Sequence, residues 1–188
     1  MNPRAKLLII LLLFSVPTLA SFMTFFLWKN PGTTSNYGVL YSPAVPLPPM
    51  AAPIADGGDL DKSAREQGLR GKWLIVAIAH GGCDAACEKN LYAMRQARLV
   101  LGREMDRVAR VVMLDGAAPS EAVLQSSRGT AWIIEPPREW RALAASEPGT
   151  ALFLVDPLGN AFLHYGADPD IKLLVKDLKQ VLKASQIG

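Results

Sequence analysis

From Leu7 to Leu27 the chain reads LLIILLLFSVPTLASFMTFFL, uncharged and mostly apolar. At about 1.5 Å per residue, a helix of that length crosses roughly 30 Å of hydrocarbon. A different pattern begins at Lys72 to Ala79, KWLIVAIA, a continuous apolar run suited to a strand covered on both faces. HGGCDAAC then turns the chain. Glu88 to Gly102 follows with Leu91, Met94, Arg95, Arg98, Leu99 and Leu101 at helical spacing, ending at glycine. Val108 to Leu114, VARVVML, is a second apolar strand. Strand, helix and strand at these lengths predict a parallel pair joined by a right-handed crossover.

Downstream, Ser120 to Ser126 predicts a short helix behind Pro119, Ala131 to Ile134 is ambiguous, and Glu139 to Ala145 is helical. Thr150 to Val155 and Ala161 to Tyr165 are short apolar strands around DPLGN, whose turn-forming residues predict an antiparallel hairpin. Asp170 to Lys183 closes the chain as an amphipathic helix. Its Ile171, Leu174, Val175, Leu178 and Leu182 share one side, with Lys172, Lys176, Lys179 and Lys183 opposite.

These elements divide the chain into an anchor over residues 1–29, a proline-rich linker over 30–58 and a folded domain over 59–188. The linker holds six prolines, few charges and no sustained period, so it reads as a semi-extended spacer. A short strand at Tyr37 to Tyr41 is the alternative. For the anchor, the alternative is a cleaved signal peptide ending at Thr18-Leu19-Ala20. Against it, the apolar run resumes with Phe22, Met23, Phe25, Phe26 and Leu27, longer than a signal core needs. Arg4 and Lys6 precede the span and only Lys29 follows it closely, which predicts a cytoplasmic N-terminus and an exported domain.

Charge changes little else. The net charge of +3 belongs to Arg4, Lys6 and Lys29, leaving 17 basic against 17 acidic residues from Asn30 onward. An exported part of zero formal charge offers no footprint for nucleic acid.

The chain has two cysteines, Cys83 and Cys87, placed between a central strand and a helix start. The carboxyl end of a parallel sheet collects active sites, and the positive end of a helix dipole favours thiolate. Thiolate is both a nucleophile and a soft ligand that prefers copper(I). A purely structural staple closing so short a loop would contribute only about 2 kcal/mol. Asp84 and Glu88 lie where they either tune the thiols or partner the dipole.

Two histidines are available. His80 ends the central strand three residues before Cys83, and Gly81-Gly82 lets the chain fold back, so His80 is the candidate third ligand. His164, two strand spacings across at nearly 10 Å, reads as an exposed edge residue.

The element order, strand–helix–strand, helices, hairpin, helix, is the thioredoxin arrangement: an α/β, thioredoxin-like fold carrying an N-terminal transmembrane helix. Leu69-Arg70-Gly71-Lys72-Trp73-Leu74-Ile75-Val76, the C-x3-C pair, Tyr92-Ala93-Met94-Arg95 and Leu152-Phe153-Leu154-Val155-Asp156-Pro157-Leu158-Gly159 resemble the Sco (SenC) proteins over roughly residues 60–185.

The resemblance implies a factor for cytochrome c oxidase assembly, its two cysteines and a distant histidine binding copper(I). That copper is passed to the oxidase subunit carrying the binuclear centre, and the cysteines also serve to reduce the target's disulfide. Cys83 and Cys87 carry over. The family histidine does not, because Glu147-Pro148-Gly149 stands at its place, and the proline that often follows the second cysteine is here Glu88. Pro148 matches the cis-proline that thioredoxin folds place opposite their cysteines, with an ordinary trans turn as the alternative. Together with the charge asymmetry, the resemblance puts the chain in a bacterial inner membrane with its C-terminal domain periplasmic. Two other classes stay open: a thiol–disulfide oxidoreductase without copper, and a non-catalytic interaction module.

Overall fold

Helix α1, Pro3–Leu27, forms one unit with residues up to Ser35, and Asn36–Gly188 forms a second. The computed structural model describes residues 2–27, 35–48, 55–56, 69, 71–146, 150–185 and 187. Within α1, the stretch Pro3–Thr24 is long and apolar enough to cross a membrane. Its polar side chains fit that environment, for Thr18 Oγ1 donates to the Ser15 carbonyl at 2.8 Å and Thr24 Oγ1 to the Ala20 carbonyl at 2.9 Å. The helix satisfies those hydroxyls itself.

Among the described residues the second unit is built on a sheet of seven strands: β1 Val39–Pro46, β2 Ala55–Asp56, β3 Trp73–His80, β4 Val108–Asp115, β5 Thr130–Ile134, β6 Ala151–Val155 and β7 Asn160–Tyr165. Their order is β1-β7-β6-β3-β4-β5-β2. β3 pairs parallel with β4 from Trp73 opposite Val108 to His80 opposite Asp115, as the two apolar runs predict. The ambiguous segment is β5, parallel to β4 and buried through Ile133.

Four α-helices, α2 Ala85–Val100, α3 Glu121–Ser126, α4 Arg138–Ala145 and α5 Ile171–Ala184, and a 3-10 helix over Gly102–Arg107 complete the unit among the described residues. Alternation along β3 divides the core in two. Trp73, Ile75, Ala77 and Ala79 meet the buried sides of α2 and α5, whereas Leu74, Val76 and Ile78 join Phe153 and the Trp140 and Ala144 of α4. The hairpin turn closes on Asp156, whose Oδ1 accepts from the Leu158 and Asn160 amides at 2.9 and 2.8 Å.

The spacer reading of residues 30–58 differs from the structure at β1, which pairs antiparallel with β7 as an edge strand. Tyr41 and Val45 pack on the Phe153 side of the sheet and Leu47 is buried there, an inward pattern that intervening prolines hide in the sequence. Pro43 and Pro46 are tolerated because an edge strand need not donate every amide. The expected domain start at residue 59, and Pro148, whose bond the sequence leaves open between cis and trans, lie outside the described residues.

Candidate functional site

Strand β3 is buried along its length and emerges only at His80, delivering the chain to Gly81 at φ +83°. The Gly81 amide donates to the Asp115 carbonyl at 2.9 Å, so the loop after β3 is fastened to the end of β4. There Gly116, at φ +149°, faces Gly81: a Cβ on Gly116 would lie 2.9 Å from the Gly81 Cα. Backbone meets backbone at this point, which glycine alone permits.

Past Gly82 the chain enters α2 through Asp84, its N-cap, whose Oδ1 accepts from the Cys87 amide at 2.9 Å. The Asp84 carbonyl accepts from the Glu88 amide, also at 2.9 Å. Asp84 thus takes up one of the amide donors that a first helical turn leaves open. Cys83 stands just before the cap and Cys87 one turn inside, and the two are joined by a disulfide with Cα atoms 5.2 Å apart. Cys87 is fully buried on the α2 side of the core, whereas Cys83 is half-buried at its margin. The arrangement offers one sulfur to an incoming thiolate and screens the other.

The histidines lie elsewhere. Alternation puts His80 on the sheet face opposite Cys87, and its Nδ1 is 3.9 Å from Asp115 Oδ2, which has Arg141 at 3.6 Å from its other oxygen. The glycine pair therefore folds the chain back without carrying the imidazole along, because His80 still belongs to the ladder of β3 with β4. His164 is paired with Phe153, itself opposite Val76 in mid-strand, so it sits on that same far face. Its ring lies 5.0 Å from that of Tyr41 and 6.5 Å from that of Phe153. It is not an edge residue, since β1 covers β7.

Among the described residues no group of three or more His, Cys, Asp or Glu side chains converges to hold a metal ion. Strand alternation places neither the His80 nor the His164 imidazole on the sheet face that carries Cys87.

Arg110, in the middle of VARVVML, was no part of the site expected from sequence. It is 5% exposed, and its Nη2 donates to the Arg128 carbonyl at 2.6 Å. Burial above all, then Arg98 and Arg95, lower its pKa to about 10. The signal that marks it is a charge breaking an otherwise apolar central strand.

No curated protein matches the chain. Among solved structures, a protein from Neisseria meningitidis described as a candidate thioredoxin is 11% identical, with 81% of this chain and 93% of that one covered and a TM-score of 0.50. Copper-bound ScoI of Arabidopsis thaliana is 17% identical, covering 64% of this chain and 89% of that one at a TM-score of 0.47. Copper-bound Sco1 of yeast is 20% identical, covering 64% and 81% at 0.47. At such identities the likeness speaks to fold alone. The family described as transmembrane-like, thioredoxin-like, C-terminal domain matches residues 73–185, from the first residue of β3 to just beyond α5. With that match spanning the parallel unit, the cysteine loop, the hairpin and the closing helix, the chain belongs to this transmembrane-like, thioredoxin-like family.

Proposed function

We propose that the chain is a membrane-anchored thiol–disulfide exchange protein in which Cys83 is the attacking sulfur and Cys87 the resolving one. The observation that carries this is the asymmetry of the pair, one sulfur at the margin of the core and the other fully buried one helical turn away. In the reducing direction, the Cys83 thiolate attacks a disulfide of the target, forms a mixed disulfide and expels one target thiolate, which takes up a proton. Cys87, losing its own proton, then attacks the Cys83 sulfur and expels the second target thiolate. The target leaves as a dithiol, the domain keeps the Cys83–Cys87 bond, and a further dithiol must reduce it for the next cycle. The reverse sequence oxidises a dithiol target.

The C-x3-C spacing and the flanking resemblance to Sco proteins support one target class, the cysteines of the oxidase subunit that carries the binuclear copper centre. They also support copper(I) as cargo on the reduced sulfurs. The charge asymmetry about α1 supports a periplasmic domain on a bacterial inner membrane. The Cys83–Cys87 disulfide supports the redox half of this reading, because two sulfurs are sufficient for exchange.

Full-length protein in detergent tests the assignment. Cys87→Ser should trap mixed disulfides through Cys83 with a small disulfide such as oxidised glutathione, whereas Cys83→Ser should trap few, its remaining sulfur being buried. Equal trapping by both variants, or a wild-type disulfide that never exchanges, overturns the reading.

A further inference from the structure

A cavity of about 420 Å³ opens between α2, β4 and α3, beginning at Glu88, the residue after Cys87. Its helical wall is Glu88, Leu91, Tyr92 and Arg95, the i, i+3, i+4, i+7 stripe of α2. Val123 and Ser127 lie across from that stripe, on and just after α3, and Arg110 lines the cavity from β4.

Arg110 is the unusual member. A guanidinium is seldom buried without a carboxylate, since removing it from water costs far more than a neutral hydrogen bond returns. Here one carbonyl, that of Arg128, meets Nη2, and Nε is buried with no hydrogen-bond partner among the described residues. Charges close by add to the deficit. Arg95 lines the same cavity, and Arg98, one turn further on, already pairs with Asp106 at 3.4 Å.

We propose that this cavity is a binding site for a monocarboxylate with an apolar body. The planar fork of a guanidinium matches a carboxylate, and such bonds are about twice as strong as neutral ones. Glu88, Arg95 and Arg110 are the charged residues lining the cavity, so the site carries one surplus positive charge. A single negative charge balances it, while a doubly charged phosphate would overshoot and meet Glu88. Leu91 and Val123 give the hydrocarbon part apolar walls, while the Ser127 hydroxyl is already spent on the Val123 carbonyl at 2.6 Å. The carboxylate comes either from a free organic acid or from a glutamate side chain of a protein, and the chemistry recognised is the same. The site needs no change in the cysteines, so it stands or falls apart from the exchange reaction.

The test uses full-length protein in detergent with its disulfide intact, titrated with hexanoate and followed by backbone amide shifts. Hexanamide controls for partition into the micelle. Hexanoate should saturate, with shifts centred on Leu91, Arg95 and Ser127, and hexanamide should bind at least about tenfold more weakly. Arg95→Gln should weaken hexanoate about fivefold, and Arg110→Lys, which keeps the charge but loses the fork, by a similar factor. Glu88→Gln should tighten it. Should Arg110→Lys not fold, the Arg95 and Glu88 variants still decide, since both residues lie at the surface. A blocked Leu-Glu-Leu peptide amide that binds more tightly than hexanoate identifies a protein side chain as the source, and the reverse order identifies a free acid. Both orders support the site. Equal binding of hexanoate and hexanamide, tighter binding of inorganic phosphate, or no saturation by hexanoate or the peptide overturns it.

Discussion

The Tyr165 hydroxyl donates a 3.1 Å hydrogen bond to Asp177 Oδ2, joining the last strand to the closing helix inside the core. The same carboxylate accepts from the Gly38 amide at 2.9 Å and from the Tyr37 amide at 3.1 and 3.0 Å. Asp177 is wholly buried, so one side chain holds the approach to β1, the end of β7 and the body of α5 together.

Asp177→Ala should therefore cost about 3 kcal/mol, because it strands the buried Gly38 amide and Tyr165 hydroxyl and releases the half-buried Tyr37 amide. Asp177→Asn, which keeps an acceptor, should cost about half as much. Urea unfolding followed by tryptophan fluorescence measures both. A loss below about 0.5 kcal/mol for Asp177→Ala would show that solvent replaces the carboxylate without difficulty.

Alkaline pH acts on the same contact. Burial first, and then the charge of Asp177, push the Tyr165 pKa up from its ordinary 10.0. The unfolded chain releases that proton near pH 10 while the folded chain keeps it, so stability falls as pH rises above about 10. The contribution is present in full below that value. In Tyr165→Phe this part of the alkaline slope should vanish, seen as unfolding midpoints that converge with wild type as pH rises from 9 to about 11. Parallel curves for the two proteins would show that the hydroxyl titrates alike in both states.

Gly116→Ala tests the loop contact behind the cysteines. The new methyl would press on the Gly81 backbone from a left-handed conformation, so a loss of about 2 kcal/mol is expected, with faster reduction of the disulfide by dithiothreitol. Gly82→Ala is the control, since its Cβ would meet nothing nearer than the Ala117 Cβ at 3.9 Å. Equal effects of the two changes would mean that the approach of Gly116 to Gly81 does not hold the loop.

Copper(I) titrated into the reduced protein should be held by the two sulfurs. Cys83→Ser and Cys87→Ser should each lower the affinity by about a hundredfold or more, because thiolate is the softer and charged ligand. His164→Ala should leave it within about twofold, since that ring lies across the sheet beside Tyr41 and Phe153. A His164→Ala protein that loses copper would place the imidazole on the wrong face here.

The sequence was most readable where one element supplies its own evidence. KWLIVAIA is apolar at every position but the first, and its burial on both faces as β3 follows from that alone. The cysteine loop was legible for the same reason, strand, glycines, cap and helix lying within one short stretch. β1 was less so, because its inward residues Tyr41 and Val45 are separated by Ser42, Pro43 and Ala44, and only pairing with the distant β7 makes them a strand. The position of His164 depended on that same long-range register. Asp177 and Arg110 each sit on a face of apolar neighbours, and their partners come from residues as far away as Gly38 and Arg128. Periodicity marks such residues as exceptions without saying what they meet.

The two borders of the sheet share one property. Among the described residues one is β2, two residues long, and the other is β1, whose pairing with β7 shifts register between Leu40 and Val45 and which carries Pro43 and Pro46, residues with no amide hydrogen to donate. A neighbouring copy in search of a strand to extend would find a ladder too short on one border and interrupted on the other. Replacing Pro43 and Pro46 with valine would mend the second border, and the cost would appear as intermolecular association.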